Sequence, residues 1–94
     1  MFQIIWSDTA KDIYADLITY LVERFGTDAA LKVDDAVELL IENISQNKYL
    51  CPKSELDINI RRCTINKRLS MIYKVEDNVI KIAAFYDNRF NFSI

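Results

Sequence analysis

Leu69-Ser70-Met71-Ile72-Tyr73-Lys74-Val75-Glu76-Asp77-Asn78-Val79-Ile80-Lys81-Ile82-Ala83-Ala84-Phe85-Tyr86 is the stretch on which the fold depends. Leu69, Met71, Tyr73 and Val75 alternate with Ser70, Ile72, Lys74 and Glu76, the two-residue period of a strand with one face buried. Ile80, Ile82, Ala84 and Tyr86 give the next run the same period, so Tyr73 and Tyr86 are both expected in the core. Asp77-Asn78 between the runs is a hairpin connector in which asparagine tolerates positive φ, and Asn66-Lys67 reads as another. Upstream, Ile58 and Ile60 alternate with polar residues before the apolar phase shifts to Cys63 and Ile65. A β-bulge near Arg61-Arg62 would produce that shift.

Toward the N-terminus the period changes. Residues 47–57 carry the only proline and no sustained pattern, which predicts a crossing loop. Ala29, Val33, Ala36, Val37, Leu40, Ile41 and Ile44 recur at helical spacing and predict a helix over about 28–46, capped by Thr27 or Asp28. Ala10, Ile13, Tyr14, Leu17, Ile18, Leu21, Val22 and Phe25 predict another over about 8–25, starting at Ser7-Asp8. Gly26, the sole glycine, separates them at a position suited to the left-handed backbone that ends a helix. Phe2 to Trp6, aromatic and β-branched, predicts a leading strand. The expected architecture is α+β, in the order β-α-α-β-β-β, with a mostly antiparallel sheet against an N-terminal helical hairpin.

The chain has 94 residues and a mass of 11.0 kDa, which fits one domain spanning 1–94. Its 51% apolar and 28% charged residues are those of a globular protein and exclude collagen-like or disordered readings. The absence of histidine excludes a Ser-His-Asp triad and removes the commonest zinc ligand. Cys51 and Cys63 alone cannot complete a tetrahedral zinc site, so neither metal nor cofactor is expected. No apolar run approaches the roughly 20 residues that cross a bilayer, and Met1 to Asp8 carries no basic side chain. A cytoplasmic location without a membrane partner is therefore expected, with both thiols reduced and packed.

Charge is unevenly distributed. Residues 1–50 hold nine acids and four bases, net −5, whereas residues 51–94 hold eight bases and five acids, net +3. Arg61, Arg62, Lys67, Arg68 and Lys74 fall within fourteen residues with no acid among them, a density suited to phosphate or an acidic partner. Asp34, Asp35, Glu38 and Glu42 are expected on a solvated helix face.

Several pieces together resemble the RelE/ParE superfamily, the toxins of type II toxin–antitoxin modules. Ile5-Trp6-Ser7-Asp8-Thr9-Ala10-Lys11-Asp12-Ile13 is similar to the family's first strand and helix start, and Tyr20 to Gly26 to the close of its first helix. Ile60 to Val75, with Phe85-Tyr86-Asp87-Asn88-Arg89, is similar to the sheet half of many ParE-like members. The resemblance implies a toxin that blocks growth by binding a target such as DNA gyrase, held in a hetero-oligomer by a cognate antitoxin. Target or phosphate binding would fall to Arg61, Arg62, Lys67, Arg68 and Arg89.

The alternative within the same superfamily is a ribosome-dependent endoribonuclease acting on mRNA. Arg61, Arg62, Lys67, Arg89 and Tyr86, with Lys53, would then stabilise the phosphate or carry protons. A further alternative is an antitoxin-binding remnant without toxicity, with Phe90 and Phe92 as contacts. Many members follow the last arginine with Gln-Asn-Pro, whereas this chain reads Phe90-Asn91-Phe92, and phenylalanine cannot exchange a proton. The pI of about 5.0 also differs from the strongly basic RelE branch. Both differences count against nuclease activity.

Overall fold

The computed structural model describes residues 2–55, 57 and 59–88. Its elements are β1 (Gln3–Trp6), α1 (Asp8–Phe25), α2 (Thr27–Gln46), β2 (Ile60–Thr64), β3 (Leu69–Glu76) and β4 (Val79–Asp87). The sheet order is β1-β4-β3-β2, with β1 parallel to β4 and the other pairs antiparallel. The α+β architecture thus follows the expected element order as a mixed four-stranded sheet.

The helical hairpin covers one face of this sheet. Ala10, Val37 and Ile44 from the helices and Met71, Tyr73, Ile80, Ile82 and Phe85 from the sheet are buried in one cluster. Trp6, Tyr14 and Phe85 join β1, α1 and β4 through ring centroids 5.0–5.5 Å apart. Gly26 has φ 93°, the left-handed backbone expected at the break between the helices. Neither Thr27 nor Asp28 caps α2: Gly26 occupies the cap position and no side chain bonds there.

The bulge lies elsewhere than expected. β2 pairs regularly with β3 from Ile60 to Thr64, so nothing slips at Arg61-Arg62. The irregularity is between β3 and β4, where Ile72 pairs with Ala84 and Tyr73 with Ile82, leaving Ala83 as the extra residue. Beyond Ala83 the phase of β4 reverses. Phe85, not Tyr86, therefore joins Ile80 and Ile82 in the core, and Tyr86 is half-buried on the opposite face. Ser7 stabilises this arrangement. Its hydroxyl donates to the Ala83 carbonyl at 3.1 Å and accepts the Ala10 N–H at 3.0 Å, so one side chain caps α1 and binds the bulge.

Turn chemistry also departs from expectation. At the β3–β4 turn the positive φ, 52°, falls on Asp77 rather than Asn78. Between β2 and β3, residues 65–68 form a longer loop in which Asn66 Oδ1 accepts the N–H groups of Arg68 and Leu69 at 2.8 and 2.9 Å. Asparagine acts there through its side chain, which stabilises a longer connection than two residues.

Cys51 and Cys63, expected as reduced thiols, form a disulfide, although both are packed as expected. The loop before β2 runs alongside that strand: Lys53 bridges Arg61, Arg62 N–H donates to Pro52 O at 3.0 Å, and Ser54 N–H donates to Ile60 O at 2.7 Å. This pairing brings the two cysteine Cα atoms to 5.3 Å, within the span of a disulfide. Tyr73 fastens the loop from the core side, donating to Lys48 O at 2.8 Å and accepting the Cys51 N–H at 3.4 Å.

Two predictions arise from this packing. Ser7→Ala removes both the cap and the partner of the Ala83 carbonyl, and should lower the unfolding free energy by about 2 kcal/mol, read as a lower urea midpoint with unchanged slope. The second concerns alkali. Burial raises the phenols of Tyr14 and Tyr73 above the ordinary tyrosine value; the hydrogen bond from Tyr14 to Asp34, 2.6 Å long, adds to the first, while the Cys51 N–H and Arg61 partly offset the second. Above pH 10 the unfolded chain releases these protons before the folded one does. Stability should be complete below that pH and fall as pH rises through the raised values, with a shallower fall in Tyr14→Phe, as measured by unfolding across pH 8–12.

Candidate functional site

The alternation of β3 sends Ser70, Ile72 and Lys74 to the face that the helices leave uncovered. Register adds Arg62 and Thr64 from β2 and Lys81, Ala84 and Tyr86 from β4. Lys74 and Lys81 stand directly opposite one another on adjacent strands. Like charges so placed oppose pairing, and the Lys74–Glu76 ion pair of 3.5 Å, itself exposed, offsets little of that repulsion. The face therefore carries positive potential at a cost to the sheet.

At one end of this face a polar cluster forms. The Arg62 guanidinium lies 5.1 Å from the centre of the Tyr86 ring, donates to Asn88 Oδ1 at 3.2 Å and reaches Ser70 Oγ at 3.4 Å. Ser70 is fully buried, and its hydroxyl donates to the same Asn88 oxygen at 2.5 Å. Asn88 in turn donates through Nδ2 to the carbonyls of Asn66 and Lys67 at 3.2 and 3.3 Å, tying the end of β4 to the β2–β3 loop. Arg62 itself remains exposed, held beside an aromatic ring with its charge toward solvent.

The other expected site residues are dispersed. Arg61 points to the opposite side of β2, where Nη1 donates to Cys51 O at 2.6 Å and Tyr49 O at 3.4 Å; it serves the loop rather than the outer face. Lys53 is exposed at the β2 edge. Lys67 and Arg68 are exposed in the β2–β3 loop, at the lip of an open apolar groove lined by Ile13, Leu17, Leu21, Phe25, Val33 and Phe85. Arg89, Phe90 and Phe92 lie outside the described residues. The structure thus brings together Arg62 and Tyr86 and separates them from Arg61.

Lys81, Ser70 and Asn88 were not singled out from the sequence. Lys81 carried a signal, since it stands between Ile80 and Ile82 and must face outward. Asn88 carried none, because its role depends on how β4 ends against a loop twenty residues earlier. The carboxylates of Asp34, Asp35 and Glu38 come within 4.8 Å of one another on α2, on the helical side of the molecule. Asp34 there accepts the Tyr14 hydroxyl.

Known proteins share this fold. Among solved structures the chain is similar to the chromosomal ParDE TA system from P. aeruginosa, with TM-score 0.77 and 17% identity over 93% of this chain and 96% of that one. It is similar to the E. coli DinJ–YafQ complex, with TM-score 0.67 and 13% identity over 99% and 100%. The YoeB–YefM complex from Staphylococcus aureus gives TM-score 0.61 and 25% identity over 92% and 95%. No curated protein sequence matches. The sequence pattern of the ParE toxin of the type II toxin–antitoxin system parDE matches residues 4–92, and by that match over nearly its whole length the chain belongs to the ParE toxin family.

Proposed function

We propose that this toxin inhibits growth by binding a cellular target, DNA gyrase, through the outer face of its sheet. It works in the cytoplasm and is neutralised there by a cognate antitoxin. The observation that carries the reading is the makeup of that face. Arg62, Lys74 and Lys81 lie around the half-buried Tyr86, over the buried Ser70 and Ile72, with net positive charge, and the chain supplies no histidine to this face. Cleavage of RNA needs one group to take the attacking hydroxyl's proton and another to protonate the leaving oxygen. Binding an acidic protein surface needs only the charge and the shape. Among the β3 residues on this face, the one carboxylate is Glu76, at the margin and paired with Lys74.

The antitoxin reading draws support from fold relatives solved as the DinJ–YafQ and YoeB–YefM complexes. The groove beside α1, apolar within and edged by Lys67 and Arg68 as well as by Asp16 and Asp87, suits an amphipathic segment with polar flanks of both signs. A hetero-oligomer follows from such a contact.

The Arg62–Tyr86 pair favours a second reading, ribosome-dependent cleavage of mRNA, because an aromatic ring backed by a guanidinium can stack a base and hold its phosphate. One set of assays separates the two. Stoichiometric toxin should inhibit gyrase supercoiling and leave mRNA intact in a ribosome-containing translation reaction. Arg62→Glu and Lys81→Glu, folded by circular dichroism, should each weaken that inhibition at least tenfold, about 1.4 kcal/mol, and relieve growth arrest. Message cut only in the presence of ribosomes would replace the binding reading with the nuclease one, and untouched supercoiling would remove gyrase as the target.

A further inference from the structure

Loop residues 48–55 meet β2 and β3 through two kinds of bond. Hydrogen bonds from Arg62 N–H to Pro52 O, from Ser54 N–H to Ile60 O and from the Tyr73 hydroxyl to Lys48 O set the position of the loop. The disulfide between Cys51 and Cys63, twelve residues apart, adds a covalent link at the same place. Because the hydrogen bonds already position the loop, the sulfur link governs how often the loop opens rather than where it rests.

Arg61 sits at this link. Its guanidinium donates to the carbonyl of Cys51 at 2.6 Å and lies 4.9 Å from the centre of the Tyr49 ring, against which the Lys48 ammonium also lies at 5.2 Å. Tyr49 and Leu50 are exposed at 59% and 46%. A stack of two cations about one aromatic ring is thus fixed by a loop whose covalent tie is the neighbouring disulfide.

We propose that Cys51–Cys63 is a reversible thiol–disulfide clip that sets whether Arg61 is held by residues 49–51 or released to solvent. The exchange partner is a low-molecular-weight thiol of the glutathione class. Both cysteines are buried, so reduction proceeds when the loop opens, and the glutathione thiolate then attacks Sγ of Cys51, the residue carried by that loop. A mixed disulfide forms and Cys63 leaves as a thiolate that takes up a proton. A second glutathione thiolate attacks the glutathione sulfur of that mixed disulfide. Cys51 leaves and is protonated, and glutathione disulfide forms. Two glutathione thiols are oxidised and one protein disulfide is reduced; glutathione disulfide drives the reverse.

Both cysteines belong to the buried cluster, at its margin, where the Tyr73 hydroxyl also meets the loop. The β3–β4 and β1–β4 ladders and the helical hairpin are joined by register and by packing around Tyr73, Ile80 and Phe85, while the disulfide lies at the β2 edge. A cross-link closing a loop of this length restricts the open chain on the order of a hundredfold, which is the change expected in loop opening on reduction.

The test uses the purified full chain equilibrated in glutathione buffers from reducing to oxidising, then alkylated and weighed. Hydrogen exchange and phenylglyoxal modification are followed on the same samples. A single two-electron transition, reached from both directions, is expected. Reduction should speed exchange of the Cys51, Ser54 and Arg62 amides by up to about a hundredfold, leave β3 and β4 amides unchanged, and raise modification of Arg61 several-fold. The double variant Cys51→Ser with Cys63→Ser should behave as the reduced chain in every buffer. A bond that fails to form or to reverse would overturn the proposal, as would equal Arg61 reactivity in both states. Loss of protection throughout the chain on reduction would make the disulfide a structural staple and overturn it equally.

Discussion

One extra residue, Ala83, fixes which side chains of β4 meet the helices. Without it the alternation of Ile80 and Ile82 would carry Tyr86 inward and Phe85 out, because a one-residue slip exchanges the two faces of a strand. With it, Phe85 closes the ring cluster with Trp6 and Tyr14, and Tyr86 stands outside beside Arg62. A bulge displaces a backbone carbonyl from the ladder, and a partly buried carbonyl needs a partner. Ser7 supplies it, and in the same act starts α1. The junction of β1, α1 and β4 is therefore one hydrogen-bonded unit, and both the core and the outward face depend on it.

The element order, the helix limits and the core register of β3 were legible because each rests on a local period: 3.6 residues over Ala10 to Phe25, two residues over Leu69 to Val75. Gly26 was legible because a positive φ near a helix end has few candidates. The bulge was legible only as a phase conflict, and the conflict was visible in two places. In β2 the polar Arg61 and Arg62 suggested a slip, yet Arg61 points inward because the loop carbonyls of Tyr49 and Cys51 receive it. In β4 the true slip was hidden by two small alanines, which fit either face. The disulfide was hidden for another reason. Its geometry comes from a loop pairing along β2, and no local pattern in residues 47–57 encodes that pairing.

Arg61 and Arg62 show how far side-chain fate depends on register. They are adjacent in sequence and chemically identical, yet one closes a loop through backbone carbonyls and the other lies exposed against a tyrosine. A basic run read as one patch is thus divided between two faces, as strand alternation demands. What replaces Arg61 on the outer face is Lys81, brought there by the pairing of β4 with β3. The site is a product of strand order more than of the cluster of charges near Arg61.

The net charge of −2 conceals this arrangement. Acids crowd α2, where Asp34, Asp35 and Glu38 lie close together, and cations collect on the sheet face turned away from the helices. Attraction between the layers does not explain the separation, since the apolar core lies between them and the exposed charges are screened over roughly 8–10 Å. Nor does sheet stability, because Lys74 opposite Lys81 weakens the ladder. A face that keeps a repulsive pair at its centre, next to a guanidinium held ready by Asn88 and Ser70, is better explained by what approaches it. On the proposed reading, an acidic surface arriving there would relieve the Lys74–Lys81 repulsion as it binds, and the local cost in the free toxin would become part of the affinity for its target.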